Sequence, residues 1–204
     1  MEWRERYERA AARNAGGETR ELDERQLVQL ANAAWAAGLS LLMAGDREGA
    51  REWLVRSAER YRESWDPGAR TDAWGRPIAM MKALLIAGEG RPCNNLLLAA
   101  LLTLDARAAE AESPIGRYAA TLALLVLDRD DEAAALASGL ADGFPADVAA
   151  ALAALATRDA NAFGPAVAAI RQDFESREDF LEDLPVPDTA LALEALATRR
   201  TLSA

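Results

Sequence analysis

The chain has 204 residues, of which 51% are hydrophobic and 27% are charged, and its mean hydropathy is close to zero at -0.11. This composition excludes a disordered chain and a polytopic membrane protein, and a chain of this length can bury a core without disulfides. The 33 acidic and 23 basic side chains give a net charge of -10, which disfavours nucleic acid and anionic lipid as partners.

Two residue types that carry much of enzyme chemistry are scarce. Histidine is absent, which removes the usual general base and the most common transition-metal ligand. The single cysteine, Cys93, can form neither an internal disulfide nor a multi-cysteine zinc site, and it suits a reducing cytosol. We therefore expect a cytoplasmic protein that is not an enzyme, with no cofactor and no metal site.

Helix formers dominate the chain from its first residues. No run of β-branched residues alternates with polar ones, so we predict an all-α protein. A first helix is expected over about 2–14, and Thr19 is the candidate N-cap of a second helix that continues to Gly45-Asp46. The third helix, over about 47–64, has one apolar and one charged face. The short break before it predicts a helical hairpin.

The second predicted helix approaches the length of a bilayer span without carrying a formal charge between residues 26 and 45. Polar side chains such as Gln29 and Asn32 interrupt it, and its leucines lie near one stripe, so we expect a half-buried helix and no membrane span. The N-terminal residues mix arginine with glutamate and contain no apolar segment, so no signal peptide is expected.

Breaks and helices alternate through the rest of the chain. A loop over 66–77 contains two prolines and two glycines and is the longest irregular segment. We predict helices over about 77–87 and 92–111, followed by a helix from Pro114 to about Leu127 that Ser113 caps. A shorter helix follows the break at 128–131 and ends near Leu140. Another follows the turn at 141–145 and ends near Ala156, and Asp159 or Asn161 caps the helix after it. An acidic connection over 176–187 leads to a last helix, which Asp188 caps and whose dipole Arg199 and Arg200 complement.

Small residues recur at helix contact positions within residues 31–62. Gly38 occupies the small position of a first helix, Gly45-Asp46 the turn, and Ala50 the small position of a second helix. These spacings resemble the tetratricopeptide (TPR) repeat. The resemblance implies antiparallel helical hairpins stacked as a TPR-like right-handed superhelix of about ten helices.

The expected organisation is a single domain over residues 1–204. A leading helix and linker (1–17) precede about four helix pairs (18–175), and an acidic loop and terminal helix (176–204) follow. The Trp74-Gly75-Arg76-Pro77 turn and a final helix rich in Ala, Leu and Arg are similar to those of helical immunity proteins of bacterial polymorphic-toxin systems. That resemblance implies a protein partner and transfers no catalytic residue.

In an enzyme without histidine, carboxylate side chains are the groups left to carry catalysis, alone or with a bound cation such as magnesium. Glu21-x-x-Glu24 and Glu63-x-x-Asp66 have the form of the acidic pairs of all-α nucleotide pyrophosphatases, although they lie farther apart than is usual there. A carboxylate-metal hydrolase of nucleotide or phosphate substrates is therefore the alternative function. The other interpretation of these pairs is that they are solvated helix ends. A second acidic cluster, formed by Asp128, Asp130, Asp131 and Glu132, could hold a cation, and its other interpretation is helix N-capping.

Segment 61–77 is the predicted binding surface. It concentrates aromatic rings and guanidinium groups, a mixture typical of protein-binding hot spots: Tyr61, Arg62, Trp65, Arg70, Trp74 and Arg76. The other interpretation is that the indoles seal a gap between hairpins and that the arginines pair with Asp66 and Asp72. We predict a non-catalytic binding or scaffold protein whose concave surface holds a protein or peptide partner, basic if electrostatics steer the encounter. A homodimer is left open.

Overall fold

Ten α-helices form the part of the chain that the structure describes, and that part contains no β-strand. The computed structural model describes residues 2–16, 22–65, 73–88, 94–140 and 143–200. The helices are α1 (Trp3–Ala15), α2 (Glu24–Met43), α3 (Arg47–Glu63), α4 (Gly75–Ala87), α5 (Asn94–Asp105), α6 (Pro114–Val126), α7 (Asp130–Ser138), α8 (Ala146–Thr157), α9 (Ala160–Glu175) and α10 (Asp188–Arg199). The predicted all-α class with about ten helices is confirmed. Among the described residues, no helix has both the length and the apolar character that a membrane span requires.

Side-chain caps determine where several helices begin. The carboxylate of Asp23 accepts a hydrogen bond from the backbone N–H of Gln26 (2.7 Å), and the Gln26 side chain accepts one from the backbone N–H of Asp23 (3.0 Å). This capping box satisfies two N–H groups at once and starts α2 at Glu24. The prediction of Thr19 as the cap was therefore wrong, and Thr19 itself lies outside the described residues. Ser113 caps α6 as predicted, accepting from the backbone of its third residue.

The predicted helix over 92–111 is shorter in the structure. It ends at Asp105, and Arg107 follows with a φ of 63°, a left-handed conformation that a helix cannot continue through. A single 3-10 turn over Ala108–Glu110 completes the connection to α6. Pro92 and Cys93, which we expected in its first turn, lie outside the described residues.

Helices α2 and α3 approach each other closely at Gly38. A Cβ atom at Gly38 would lie 2.7 Å from Cγ of Leu54 and 3.1 Å from the carbonyl oxygen of Ala50. The buried hydroxyl of Ser57 donates to the carbonyl of Ala31 across the same contact, at 2.9 Å. The two small positions noted in the sequence therefore do lie at a helix–helix contact. The right-handed superhelix that the TPR resemblance implies stays a prediction.

Each helix packs against the next along the chain, and α4, α6 and α8 also contact one another in series, which places the even-numbered helices on one side. The C-terminal segment departs from this order. Helix α10 packs against α4, α8 and α9, and the 3-10 turn Leu181–Asp183 packs against α2. Four apolar side chains of this segment are buried: Leu184, Val186, Leu193 and Leu196. The side of the even-numbered helices is therefore covered by the chain's own C-terminal segment.

Candidate functional site

The three aromatic residues of the predicted 61–77 surface are buried. Tyr61, Trp65 and Trp74 are 5%, 5% and 4% exposed and belong to one core cluster that extends through the protein. The indole of Trp74 lies against Gly116 of α6, where a Cβ atom would come within 2.8 Å of the indole Nε1. Our expectation that these rings face a partner is corrected. They fill the space between helices instead, because that burial removes far more apolar area from water than a loop surface would.

Tyr61 also has a polar role inside the core. Its hydroxyl donates to Oδ1 of Asn32 at 2.5 Å and so ties α3 to α2. Burial, with a smaller effect of the negative charges of Asp188 and Glu182, raises the pKa of Tyr61 above its ordinary value. The phenol therefore stays protonated and acts as a donor, not as an acid or base.

The arginines of the segment differ in position. Arg76 is half-buried at the start of α4, where its guanidinium donates to the carbonyl of Ser64 and pairs with the carboxylate of Glu24. Arg70 lies outside the described residues. Arg62 is exposed on α3 and lines a groove. Of the predicted site residues that the structure describes, Arg62 is thus the one that is freely available at the surface.

That groove, which we call the α3–α5 groove, runs between α3 and α5 over a floor provided by α4. Its lining comprises Val55, Ala58, Glu59, Arg62, Met80, Leu84, Asn95, Leu98 and Ala99. It encloses only about 40 Å³, whereas small-molecule sites typically occupy roughly 300–1,000 Å³. A groove of this size can accept one apolar side chain from a partner and is too shallow to enclose a nucleotide.

Helix α5 makes one wall of the groove and is unusually apolar. Residues 94–104 contain six leucines and no charged side chain, in a chain that is 27% charged. Leu98 and Leu101, one helical turn apart, are 40% and 55% exposed. This face was not among the predicted binding residues. The signal was present, since a leucine-rich helix without a polar stripe leaves apolar surface in water unless it is buried all round.

The acidic pairs of the hydrolase alternative are engaged by arginines where the structure describes them. Glu24 pairs with Arg76, and Oε2 of Glu63 lies 2.7 Å from Nη1 of Arg60. Glu21 and Asp66 lie outside the described residues. Within the described ranges, no group of three or more acidic or cysteine side chains could hold a metal ion.

The acidic cluster at the start of α7 is also paired with arginines. Oδ2 of Asp130 accepts from Nε of Arg158 at 2.9 Å, and its other oxygen accepts from Arg200. Burial opposes ionisation of this carboxyl, but the hydrogen bonds from Arg200 and Arg158 outweigh it and lower the pKa of Asp130. Glu132 is held by Arg129 in the same way, at 2.6 and 2.7 Å. The N-capping interpretation was wrong, because α7 begins after Arg129 without a side-chain cap.

Comparison with known proteins adds no relative to this description: no family model, curated protein or solved structure matches the chain.

Proposed function

We propose that this chain is a non-catalytic binding protein and that its α3–α5 groove receives an apolar side chain of a basic protein partner. The observation that carries the proposal is the exposure of Leu98 and Leu101 on a helix whose residues 94–104 carry no charge, beside a groove too small for a nucleotide. Partly exposed leucines next to a shallow apolar depression are typical of the centre of a protein interface.

The energetic contribution of this surface comes from desolvation. Burying a fully exposed leucine side chain contributes about 1.5–3 kcal/mol. Leu98 and Leu101 are 40% and 55% exposed, so each contributes about half of that, and one inserted partner residue adds about as much as a whole leucine. Together these contributions supply part of the roughly 8 kcal/mol of micromolar binding. Glu59 and Arg62 border the apolar floor and can form the polar rim that orients a partner.

The chemistry of the partner follows from charge. The chain carries a net charge of -10, which attracts a basic protein and repels an acidic one before contact. Association should therefore slow as ionic strength rises. The resemblance to immunity proteins supports a finer form of the proposal, in which the partner is a toxin. Cytoplasmic location belongs to the same proposal and is supported by the single cysteine.

The groove differs from the surface that a TPR-like solenoid is expected to use. A peptide would ordinarily lie along the concave side, but here the C-terminal segment covers the side of the even-numbered helices. Among the described residues, the α3–α5 groove remains an apolar depression that a partner can reach.

The class of function is tested by thermal unfolding with added ligands. We expect no stabilisation by magnesium or manganese with a panel of nucleotides, and we expect capture of a basic protein from an extract of the native host. The captured protein is then purified, so that binding can be measured with two components. Stabilisation by metal and nucleotide together would instead support the hydrolase. Light scattering over a concentration series serves as the control for self-association through the same leucines.

A further inference from the structure

A row of arginines on α1 lines a cleft against α2, away from the helices that form the α3–α5 groove. Helix α1 carries four arginines and two glutamates, in contrast to the acidic chain as a whole. Three of these arginines, Arg6, Arg9 and Arg13, are spaced so that they share one face of the helix, and all three line a cleft of about 410 Å³ against α2. The cleft continues into a second space of about 460 Å³, which Arg13 also lines and to which Gln26 and Gln29 contribute amide groups.

An acidic segment of the chain itself forms one wall of this cleft and pairs with its arginines. Arg13 Nη1 lies 2.5 Å from Oε2 of Glu182, and Arg6 donates to the backbone carbonyl of Asp183. The segment is held in place by its neighbours, since Leu184 and Val186 are 2% and 1% exposed. A carboxylate on a peptide backbone is therefore the type of group that this cleft already accepts.

The wall segment that carries Glu182 departs from an ideal arrangement in two respects. Glu182 Oε2 is buried, and within the described residues it has no partner with hydrogen-bond geometry, although Arg13 lies within ion-pair distance. Glu182 and Asp183 also have φ values of 58° and 55°, and two consecutive non-glycine residues in the left-handed region are strained. The strain is relieved if the turn relaxes, so an external carboxylate can compete with Glu182 for the guanidinium of Arg13.

We infer that the cleft between α1 and α2 is a binding site for an acidic peptide segment of another protein, and that Glu182 is a built-in competitor for it. Arginine binds carboxylates through paired N–H donors, and the amide of Gln29 can both donate to and accept from a peptide backbone. The side-chain NH2 of Gln26 can donate as well, while its oxygen caps α2. An internal competitor lowers the apparent affinity for an external ligand by the fraction of time that the site is occupied. This site does not rest on the proposed function, since it uses other helices and attracts the opposite charge.

Binding of a labelled peptide tests the inference directly. The probe is a fluorescein-labelled peptide with the sequence of residues 178–186, and its control has glutamine and asparagine at the positions of Glu182 and Asp183. We expect fluorescence anisotropy to show at least tenfold tighter binding of the probe to the full-length Glu182→Ala chain than to the wild type. The control peptide should bind neither the wild type nor the Glu182→Ala variant.

Matched variants assign the binding to the cleft. In the Glu182→Ala background, Arg13→Ala should weaken probe binding about tenfold, whereas Arg4→Ala, an arginine of α1 that does not line the cleft, should leave it unchanged. If Glu182→Ala lowers the melting temperature, Glu182→Gln, which keeps the side-chain shape, is used in its place. Equal probe binding by wild type and both Glu182 variants would overturn the inference. A second result would also overturn the inference. If millimolar inorganic phosphate displaces the probe and the protein binds the control peptide as well as the probe, the cleft is a site for small anions.

Discussion

Arg200, the residue after α10, is 4% exposed and contacts three other helices. Its Nη1 donates to the carbonyl of Leu125 in the last turn of α6 at 2.6 Å. Its Nη2 lies 3.5 Å from the carbonyl of Leu155 in α8 and also donates to Asp130 at the start of α7. From sequence we expected Arg200 to complement the dipole of its own helix. It complements the C-terminal ends of two other helices instead, where unpaired carbonyls and the dipole favour a cation.

Replacement of Arg200 tests this junction. Arg200→Met keeps most of the buried volume but removes the donor from two carbonyls and from Oδ1 of Asp130, whose other oxygen keeps Arg158. We expect the free energy of unfolding to fall by about 3 kcal/mol. Urea unfolding measures the loss. Arg199→Met, one residue earlier and only half-buried, is the control and should change stability by less than about 0.5 kcal/mol. Equal effects of the two variants would contradict the assigned role.

The lowered pKa of Asp130 predicts a pH dependence with a definite sign. A carboxyl whose pKa is lower in the folded than in the unfolded state stabilises the protein above its unfolded-state value, here 3.8, and this contribution is lost as the pH falls through the folded-state value. Asp130→Asn should therefore be less stable than wild type at pH 7, and the difference should shrink below pH 3.8. Urea titrations at a series of pH values measure it. A difference that stays constant with pH would rule out the ionised pair as its source.

At the scale of elements, the contact between α2 and α3 gives a matched pair of glycine substitutions. Gly38→Ala would place a Cβ atom 2.7 Å from Leu54, so we expect a loss of about 1–3 kcal/mol despite the better helix propensity of alanine. Gly75 lies at the start of α4 with nothing within 4 Å of a Cβ position, and Gly75→Ala should stabilise by up to about 1 kcal/mol. Thermal unfolding compares the two. Stabilisation by both substitutions would show that α2 and α3 are not in close contact at Gly38.

Local signals predicted the helices well because they act within a few residues. Apolar periodicity gave α1 and α3 to within a residue or two, and Ser113-Pro114 gave the start of α6. The start of α2 was missed because the capping box at Asp23 competes with other polar residues that look equally suitable in sequence. The end of α5 was missed because nothing local marks Arg107 for a left-handed conformation.

The candidate site was predicted less well because it depends on contacts between distant parts of the chain. The sequence placed tyrosine and tryptophan near arginines between residues 61 and 77, but composition cannot distinguish rings that face a partner from rings that seal a core. Trp74 is buried against Gly116, a residue of α6 that lies far along the chain. The exposed leucines of α5 depend in the same way on how α3 and α5 are spaced over α4.

At the scale of the whole molecule, the C-terminal segment joins elements that are far apart in sequence. The only lysine, Lys82 of α4, lies 2.6 Å from Oδ2 of Asp188 and donates to the hydroxyl of Thr189 at 2.9 Å. Leu193 follows one turn later and is fully buried. The segment is thus part of the core and closes one side of the helical array.

This closure predicts a global loss of stability from a substitution near the end of the chain. Leu193→Ala should lower the free energy of unfolding by about 2–5 kcal/mol, because it leaves a cavity in a core that does not fully collapse. Leu101→Ala, at a 55% exposed leucine, is the control and should cost little. Urea unfolding followed by circular dichroism measures both. An unchanged midpoint for Leu193→Ala would mean that α10 detaches before the rest unfolds.

The most direct test of the binding proposal is the affinity of the purified partner for variants of α5. Leu98→Glu combined with Leu101→Glu places two charges on the apolar wall of the α3–α5 groove, while Leu181→Glu alters a leucine that is equally exposed, at 55%, elsewhere. Calorimetric titration should show at least a hundredfold loss of affinity for the double variant and wild-type affinity for Leu181→Glu, with unchanged melting temperatures. Wild-type affinity of the double variant would contradict the account, because the partner would then bind without the α3–α5 groove.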